Sequence, residues 1–163
     1  MTCQYILAID QGTTGTTAVI LDVTNPSGYK VVSQTNLQIK QYYPKEDWVE
    51  HDLDDIWDST LKAIRKSIEE ATHLGQGFQK NKIIAIGITN QRETLCVFDR
   101  KSKKPLSKAI VWQCKRSQSI CKSLKDQGIE EDIIQRTGLV LDPYFTGTKI
   151  KWLMDNNPAI KSQ

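Results

Sequence analysis

The sequence predicts a mixed α/β fold, and three observations carry that prediction. Two apolar runs, 5–9 and 18–21, flank a tight glycine-containing turn and read as a β-hairpin. Apolar residues recur at helical spacing over 53–68. A continuously apolar stretch, 83–88, then returns as a strand, and a long helix between strands implies a crossover connection.

Taken in order, the first hairpin is followed by the turn Asn25-Pro26-Ser27-Gly28 and a third, partly alternating strand over 30–40. That makes an antiparallel meander at the start of a mixed sheet flanked by helices. Residues 41–52 mix polar and aromatic side chains around Pro44, a surface loop pinned by its aromatics. Asp52 is a good N-cap for the long helix, and Asp54 and Asp55 suit its positive end. Leu53, Ile56, Trp57, Leu61, Ile64 and Ile68 are expected to cover a sheet face. Gly75 and Gly77 are expected to close the helix. The run 83–88 lacks polar alternation, which predicts a strand buried on both faces.

Further strands are expected over 94–98 and 109–112. Ile120, Cys121 and Leu124 mark an amphipathic helix over 117–125, stopped by Gly128; a shorter one over 130–136 is stopped by Gly138. Residues 139–147 read as loop and 149–155 as helix, with another opening at 159–163. No end signal follows, so the chain is expected to be the front of something longer.

With 163 residues, 39% hydrophobic and 25% charged, the chain suits a globular domain able to bury a core. Its net charge of +3 is spread out, and the one basic cluster, 100–104, sits in a turn, which argues against a nucleic-acid partner. Cys3, Cys96, Cys114 and Cys121 show no CxxC spacing, which favours structural thiols over disulfides or a metal site. No run approaches the ~20 apolar residues of a membrane span, and no signal-peptide pattern opens the chain. The expected location is the cytoplasm.

The hairpin turn Asp10-Gln11-Gly12-Thr13-Thr14-Gly15 combines a carboxylate on a strand end with small residues and hydroxyls. Gly12 allows close backbone approach, and Gly15 is free to take φ > 0. Backbone N–H groups in such a turn can cradle an anion. Asp10 repels a phosphate directly, so its task would be to hold hydrated Mg²⁺. The competing reading is ordinary turn chemistry.

Thr89-Asn90-Gln91-Arg92-Glu93 leaves the end of a strand, where α/β sheets place their sites. A carboxylate accepts from hydroxyls and a guanidinium donates in a fork, so Arg92 and Glu93 together suit a small polyol. The alternative is a surface charge pair. Trp112 offers an apolar wall for a carbon skeleton, or is core. Tyr144, after Pro143, offers a phenol to a polyol, or is a packed loop aromatic. His51 and His73 lack ligand spacing, and no Walker P-loop motif is present.

Taken together, Asp10 to Thr14, Asp47 to Asp52, Ile86 to Thr94, Ala109 to Cys114, Thr137-Gly138-Leu139, Asp142 to Phe145, Gly147-Thr148-Lys149 and Lys151-Trp152 resemble the FGGY carbohydrate kinases, in their glycerol-phosphorylating branch. The resemblance covers nearly the whole chain. It implies an actin-like, ribonuclease-H-like ATPase fold and ATP-dependent phosphorylation of glycerol to sn-glycerol 3-phosphate, with ATP and Mg²⁺ as cofactors. It implies that Arg92, Glu93 and Tyr144 bind the glycerol hydroxyls while Trp112 packs on its carbons. Gly12, Thr13, Thr14 and Gly15 would meet the nucleotide phosphates, and Asp10 the Mg²⁺ through water. Thr17 stands where the family usually has Arg, which leaves that phosphate contact in question.

The family is longer, with ATP held between two domains. Residues 1–163 would therefore be most of the N-terminal, polyol-binding domain, with the second domain absent. The catalytic general base is expected beyond Gln163, so none is assigned here. The expected partners are glycerol and ATP or ADP, with a homo-oligomer at full length. Two alternatives stand beside this reading: a kinase for another polyol or sugar, and a non-catalytic, truncated binding or regulatory module.

Overall fold

The computed structural model describes residues 3–74 and 77–161. In chain order the elements are β1 Tyr5–Gln11, β2 Gly15–Asp22, β3 Lys30–Gln38, β4 Glu50–His51, α1 Leu53–His73, a 3₁₀ turn Lys80–Lys82, β5 Ile83–Asn90, β6 Ala109–Ile110, α2 Gln118–Asp126, α3 Ile129–Thr137, α4 Thr146–Asn156 and α5 Pro158–Lys161. They fall into two compact units, one of residues 1–40 and 54–91, the other of 41–53 and 92–163.

The first unit is a four-stranded sheet of order β3-β2-β1-β5. β1 pairs antiparallel with β2, and β2 with β3, which is the expected meander; β5 runs parallel to β1 after the α1 crossover. Alternation on β1 buries Tyr5, Leu7 and Ile9, which join Ala18, Ile20, Ala63, Ala71 and Phe78 in one core. Phe78 meets the Tyr5 ring edge-on at 4.9 Å.

The helix seats on this sheet by a different stripe from the one its large apolar residues predict. The buried positions of α1 are Ser59, Ala63, Ser67 and Ala71, every fourth residue. Ile64 and Ile68 flank them, whereas Trp57 is 61% exposed. Small side chains let helix and sheet approach closely, and their hydroxyls are satisfied across the layer. Ser59 Oγ lies 3.0 Å from Thr16 Oγ1, and Ser33 Oγ donates to the Ser67 carbonyl at 2.7 Å. Of the two expected stop glycines, Gly77 takes φ 77° beyond the helix end, and Gly75 lies outside the described residues.

β5 corrects the expectation of a strand buried on both faces: Ile84, Ile86 and Ile88 are 58%, 61% and 73% exposed. Its apolar composition is real, but it occupies the sheet edge. Ile86 and Ile88 stand in register with buried Leu7 and Ile9, and the cover those residues receive does not extend to them.

In the second unit β4 pairs antiparallel with β6. Ile110, Cys114 and Leu153 form its core, with Trp48, Val49, Leu95, Val97, Trp152 and Ile160 against it. Arg116 is threaded between aromatics, 4.0 Å from the Trp48 ring and 5.0 Å from Trp152, and pairs with Glu50 at 2.8 Å. This fastens the 41–52 loop. The expected strand over 94–98 is reduced to isolated bridges, Leu95 to Ile110 and Phe98 to Pro105. Gly128 and Gly138 stop their helices in the left-handed region, at φ 73° and 72°. α4 begins at Thr146, earlier than periodicity indicated, because Thr146 finds a capping carboxylate distant in sequence. The four cysteines are free thiols. Among the described residues no helix is long and apolar enough to cross a membrane.

Candidate functional site

The first candidate half-site is the hairpin turn between β1 and β2. The Gly12 N–H donates to the Gly15 carbonyl at 2.9 Å, closing the turn on itself. Gln11 and Gln91 side chains both reach the Gly12 carbonyl, at 2.9 and 3.4 Å. Gly15 is not at positive φ, contrary to the expectation from its residue type. It is glycine because β3 passes too close: a Cβ there would stand 2.6 Å from the Leu37 carbonyl oxygen. Gly15 and Thr16 are buried, Thr13 and Thr17 are half-buried, and Thr14 is exposed. The Thr17 hydroxyl accepts from Asn36 Nδ2 at 2.8 Å.

Asp10, at the end of β1 and opposite Thr17 in the β2 register, is exposed, and its carboxylate makes no hydrogen bond or ion pair among the described residues. An exposed carboxylate on a rigid strand end, beside a turn of hydroxyls, fits water-mediated Mg²⁺.

The second candidate half-site lies in the second unit. Glu93 sits at φ 61°, in the left-handed region that disfavours a side chain, and such strain collects at binding sites. Its Oε2 accepts from both the N–H of Thr146, at 2.7 Å, and the Thr146 hydroxyl, at 2.6 Å. The Thr146 hydroxyl foremost, then the Thr146 N–H, with Lys149 and Arg92 adding, hold the Glu93 carboxyl below the usual range. Arg92 is exposed and forms no ion pair with Glu93.

Tyr144 is set by an Asx turn, its N–H donating to Asp142 Oδ1 at 2.7 Å. Its ring meets Trp112 edge-on, 5.8 Å between centroids, and Phe145 at 5.0 Å. Trp112 follows β6, and its backbone N–H donates to Thr94 Oγ1 at 3.3 Å. Trp112 and Tyr144 line a shared cavity of about 450 Å³ with Gln113, Gln118, Asp142 and Pro143. The structure thus joins Trp112 to Tyr144, and ties Glu93 to the residue two beyond Tyr144.

Sequence reasoning passed over Thr146 and Lys149. Thr146 falls in the expected 139–147 loop, and Lys149 opens the expected 149–155 helix. Lys149 is instead fully buried, and its Nζ donates to the Tyr144 carbonyl. The signal for Thr146 is its place beside the Asp142 to Phe145 tetrad, and for Lys149 its place in the resembling run Gly147-Thr148-Lys149.

The first unit carries an exposed carboxylate beside a turn of hydroxyls, and the second a strained carboxylate, Glu93, that lines a different cavity from Trp112 and Tyr144. The profile of the FGGY family of carbohydrate kinases, N-terminal domain, matches residues 5–163. The chain belongs to this family, and its fold is the actin-like ATPase fold. It is 47% identical over 160 residues to glycerol kinase 2 of Thermotoga maritima, covering 98% of this chain and 30% of that protein. It is 49% identical over 152 residues to the glycerol kinase of Sinorhizobium fredii, covering 93% and 29%. Among solved structures it resembles Plasmodium falciparum glycerol kinase with ADP, with TM-score 0.81, 33% identity, and 98% and 30% of the chains covered. Gluconate kinase from Lactobacillus acidophilus matches with TM-score 0.82 and 25% identity, over 99% and 30%. The chain therefore spans less than a third of the relatives it matches.

Proposed function

We infer that this chain is the polyol-binding portion of an ATP-dependent glycerol kinase, most of its N-terminal domain, in a cytoplasmic, homo-oligomeric enzyme that makes sn-glycerol 3-phosphate. The observation that carries this is Glu93: a carboxylate held ionised in a strained backbone conformation, one oxygen committed to Thr146 and the other without a partner among the described residues. That oxygen accepts from a glycerol hydroxyl, the Tyr144 phenol takes a second, Arg92 donates to them, and Trp112 packs on the carbons. High identity to proteins named glycerol kinases favours glycerol over the sugar acids and sugars of the structural neighbours.

In the hairpin, the Thr13 and Thr14 hydroxyls and the backbone around Gly15 meet the nucleotide phosphates. The Gly12 N–H is committed to the turn, so Gly12 shapes the cradle rather than donating to it. Asp10 would hold a hydrated Mg²⁺, whose charge would favour the transferred phosphoryl group. No residue here is assigned as general base. The chain's contribution is positioning and charge complementarity, which dominate phosphoryl transfer.

The test compares glycerol, gluconate and xylulose as substrates of the intact kinase carrying this domain, with ATP and Mg²⁺. Glycerol is expected to have the highest kcat/KM. A preference for either other compound would replace glycerol by that substrate, and an intact protein that binds glycerol without turnover would establish the non-catalytic module.

A further inference from the structure

Lys149 is in the wrong place for a lysine that serves only its helix. It lies in the first turn of α4, where the helix end is positive and a cation is unfavourable. It is also fully buried, and burying an ammonium carries a cost that a methionine of similar length would avoid. Its Nζ donates to the Tyr144 carbonyl and stands 5.9 Å from the centre of the Tyr144 ring. The titratable groups whose charge favours the ammonium are Glu93 foremost, then Cys114, Asp142 and Cys121. Lys149 makes no contact ion pair with Glu93, so Glu93 keeps its second oxygen open.

We propose that Lys149 is a positioning residue of the polyol site: its buried ammonium ties down the Tyr144 backbone and faces the Glu93 carboxylate, holding phenol and carboxylate ready for one ligand. The proposal rests on the polyol reading of that site. Its design is economical in residues. Thr146 and Lys149, three apart on α4, lie on neighbouring sides of one turn, the first gripping Glu93 and the second gripping Tyr144. One helical turn therefore fixes two ligand-facing groups that are far apart in sequence. With the lysine charge lost, Arg92 still acts on that carboxylate among the described residues.

The test uses the intact kinase carrying this domain, with ¹³C-labelled glutamate carboxyl and lysine Cε positions observed by NMR. In the unaltered protein the Glu93 carboxyl carbon should titrate below the usual glutamate range. It should also show a second, alkaline inflection shared with Lys149 Cε, below the ordinary lysine value because burial disfavours the ammonium. Lys149→Met should raise the Glu93 midpoint, abolish the alkaline inflection and weaken glycerol binding about tenfold, with the deficit larger at pH 5 than at pH 8. Lys149→Arg should restore the low Glu93 midpoint and part of the affinity. A packing role alone would weaken binding equally at every pH, and that result would overturn the proposal. So would a Glu93 carbon that ignores Lys149 titration in the unaltered protein, which holds even if the methionine variant fails to fold. If glycerol perturbs neither Glu93 nor Tyr144 in the unaltered protein, the polyol reading itself falls, and the proposal with it. Glycerol binding with no Glu93–Lys149 coupling defeats the proposal alone.

Discussion

Thr146 and Glu93, 53 positions apart, are joined twice at a single atom: the N–H and the hydroxyl of Thr146 both donate to Glu93 Oε2, at 2.7 and 2.6 Å. The bond serves two purposes. It caps α4, whose preceding residue, Phe145, supplies no side-chain cap, and it leaves Glu93 Oε1 without a donor among the described residues. A helix start and the carboxylate proposed to take the ligand are thereby the same piece of structure.

Glu93→Gln in the intact kinase should lower kcat/KM for glycerol by roughly ten- to hundredfold, since hydrogen bonds to a charged acceptor are worth about 1.5–3 kcal/mol. Steady-state kinetics with varied glycerol measures this. An unchanged kcat/KM would reduce Glu93 to a helix cap.

The same carboxylate makes stability depend on pH. Its folded-state pKa is depressed, first by the Thr146 hydroxyl and then by the Thr146 N–H. A depressed carboxyl pKa contributes stability that is present above the unfolded value, about 4.3, and is lost as pH falls through the folded value. The stability difference between the unaltered chain and Glu93→Gln should therefore be largest near neutrality and shrink below about pH 4. Urea unfolding of both proteins across this range checks it; a difference that is constant with pH would contradict the assignment.

Residues 1–163 alone should give no glycerol 3-phosphate from ATP, Mg²⁺ and glycerol above blank. An oriented base contributes typically about 10²–10⁴-fold, and positioning of the second substrate contributes more. Turnover that co-purifies with the chain through two orthogonal columns would refute this.

Two glycine replacements should act in opposite directions. Gly15→Ala puts a methyl 2.6 Å from the Leu37 carbonyl oxygen and 3.2 Å from Gln38 Cα, both backbone, and should cost about 1–3 kcal/mol. Gly147→Ala, within α4 and with nothing inside 4 Å, should gain about 0.5–1 kcal/mol from helix propensity. Chemical denaturation midpoints read both.

Thr17→Arg in the intact kinase should tighten ADP binding about three- to tenfold, the worth of a solvent-facing charge-assisted contact near 1 kcal/mol. The replacement gives up the hydrogen bond from Asn36, an exposed contact of small value. Calorimetric titration with ADP and Mg²⁺ decides it. Equal dissociation constants would mean that another cation already serves the phosphates.

Local patterns determined much of this protein by themselves. The meander of β1 to β3, the crossover helix α1 and the stops at Gly128 and Gly138 follow from periodicity and turn chemistry, which act between near neighbours. Side-chain chemistry at strand ends and the family resemblance put Asp10, Arg92, Glu93, Trp112 and Tyr144 forward as candidates. Only tertiary structure decided which stripe of α1 is buried, because Ser59 and Ser67 become core residues only when Thr16 and Ser33 arrive opposite them. It decided that Gly15 answers to the approach of β3 rather than to its own φ, and that apolar β5 stands at an edge. It also decided the roles of Thr146 and Lys149. A threonine in a loop and a lysine in a helix look solvent-facing in sequence, since burial and pairing are set by groups dozens of residues away. Those long-range contacts brought Glu93 to Thr146, and burial then set Lys149 within the field of the same carboxylate.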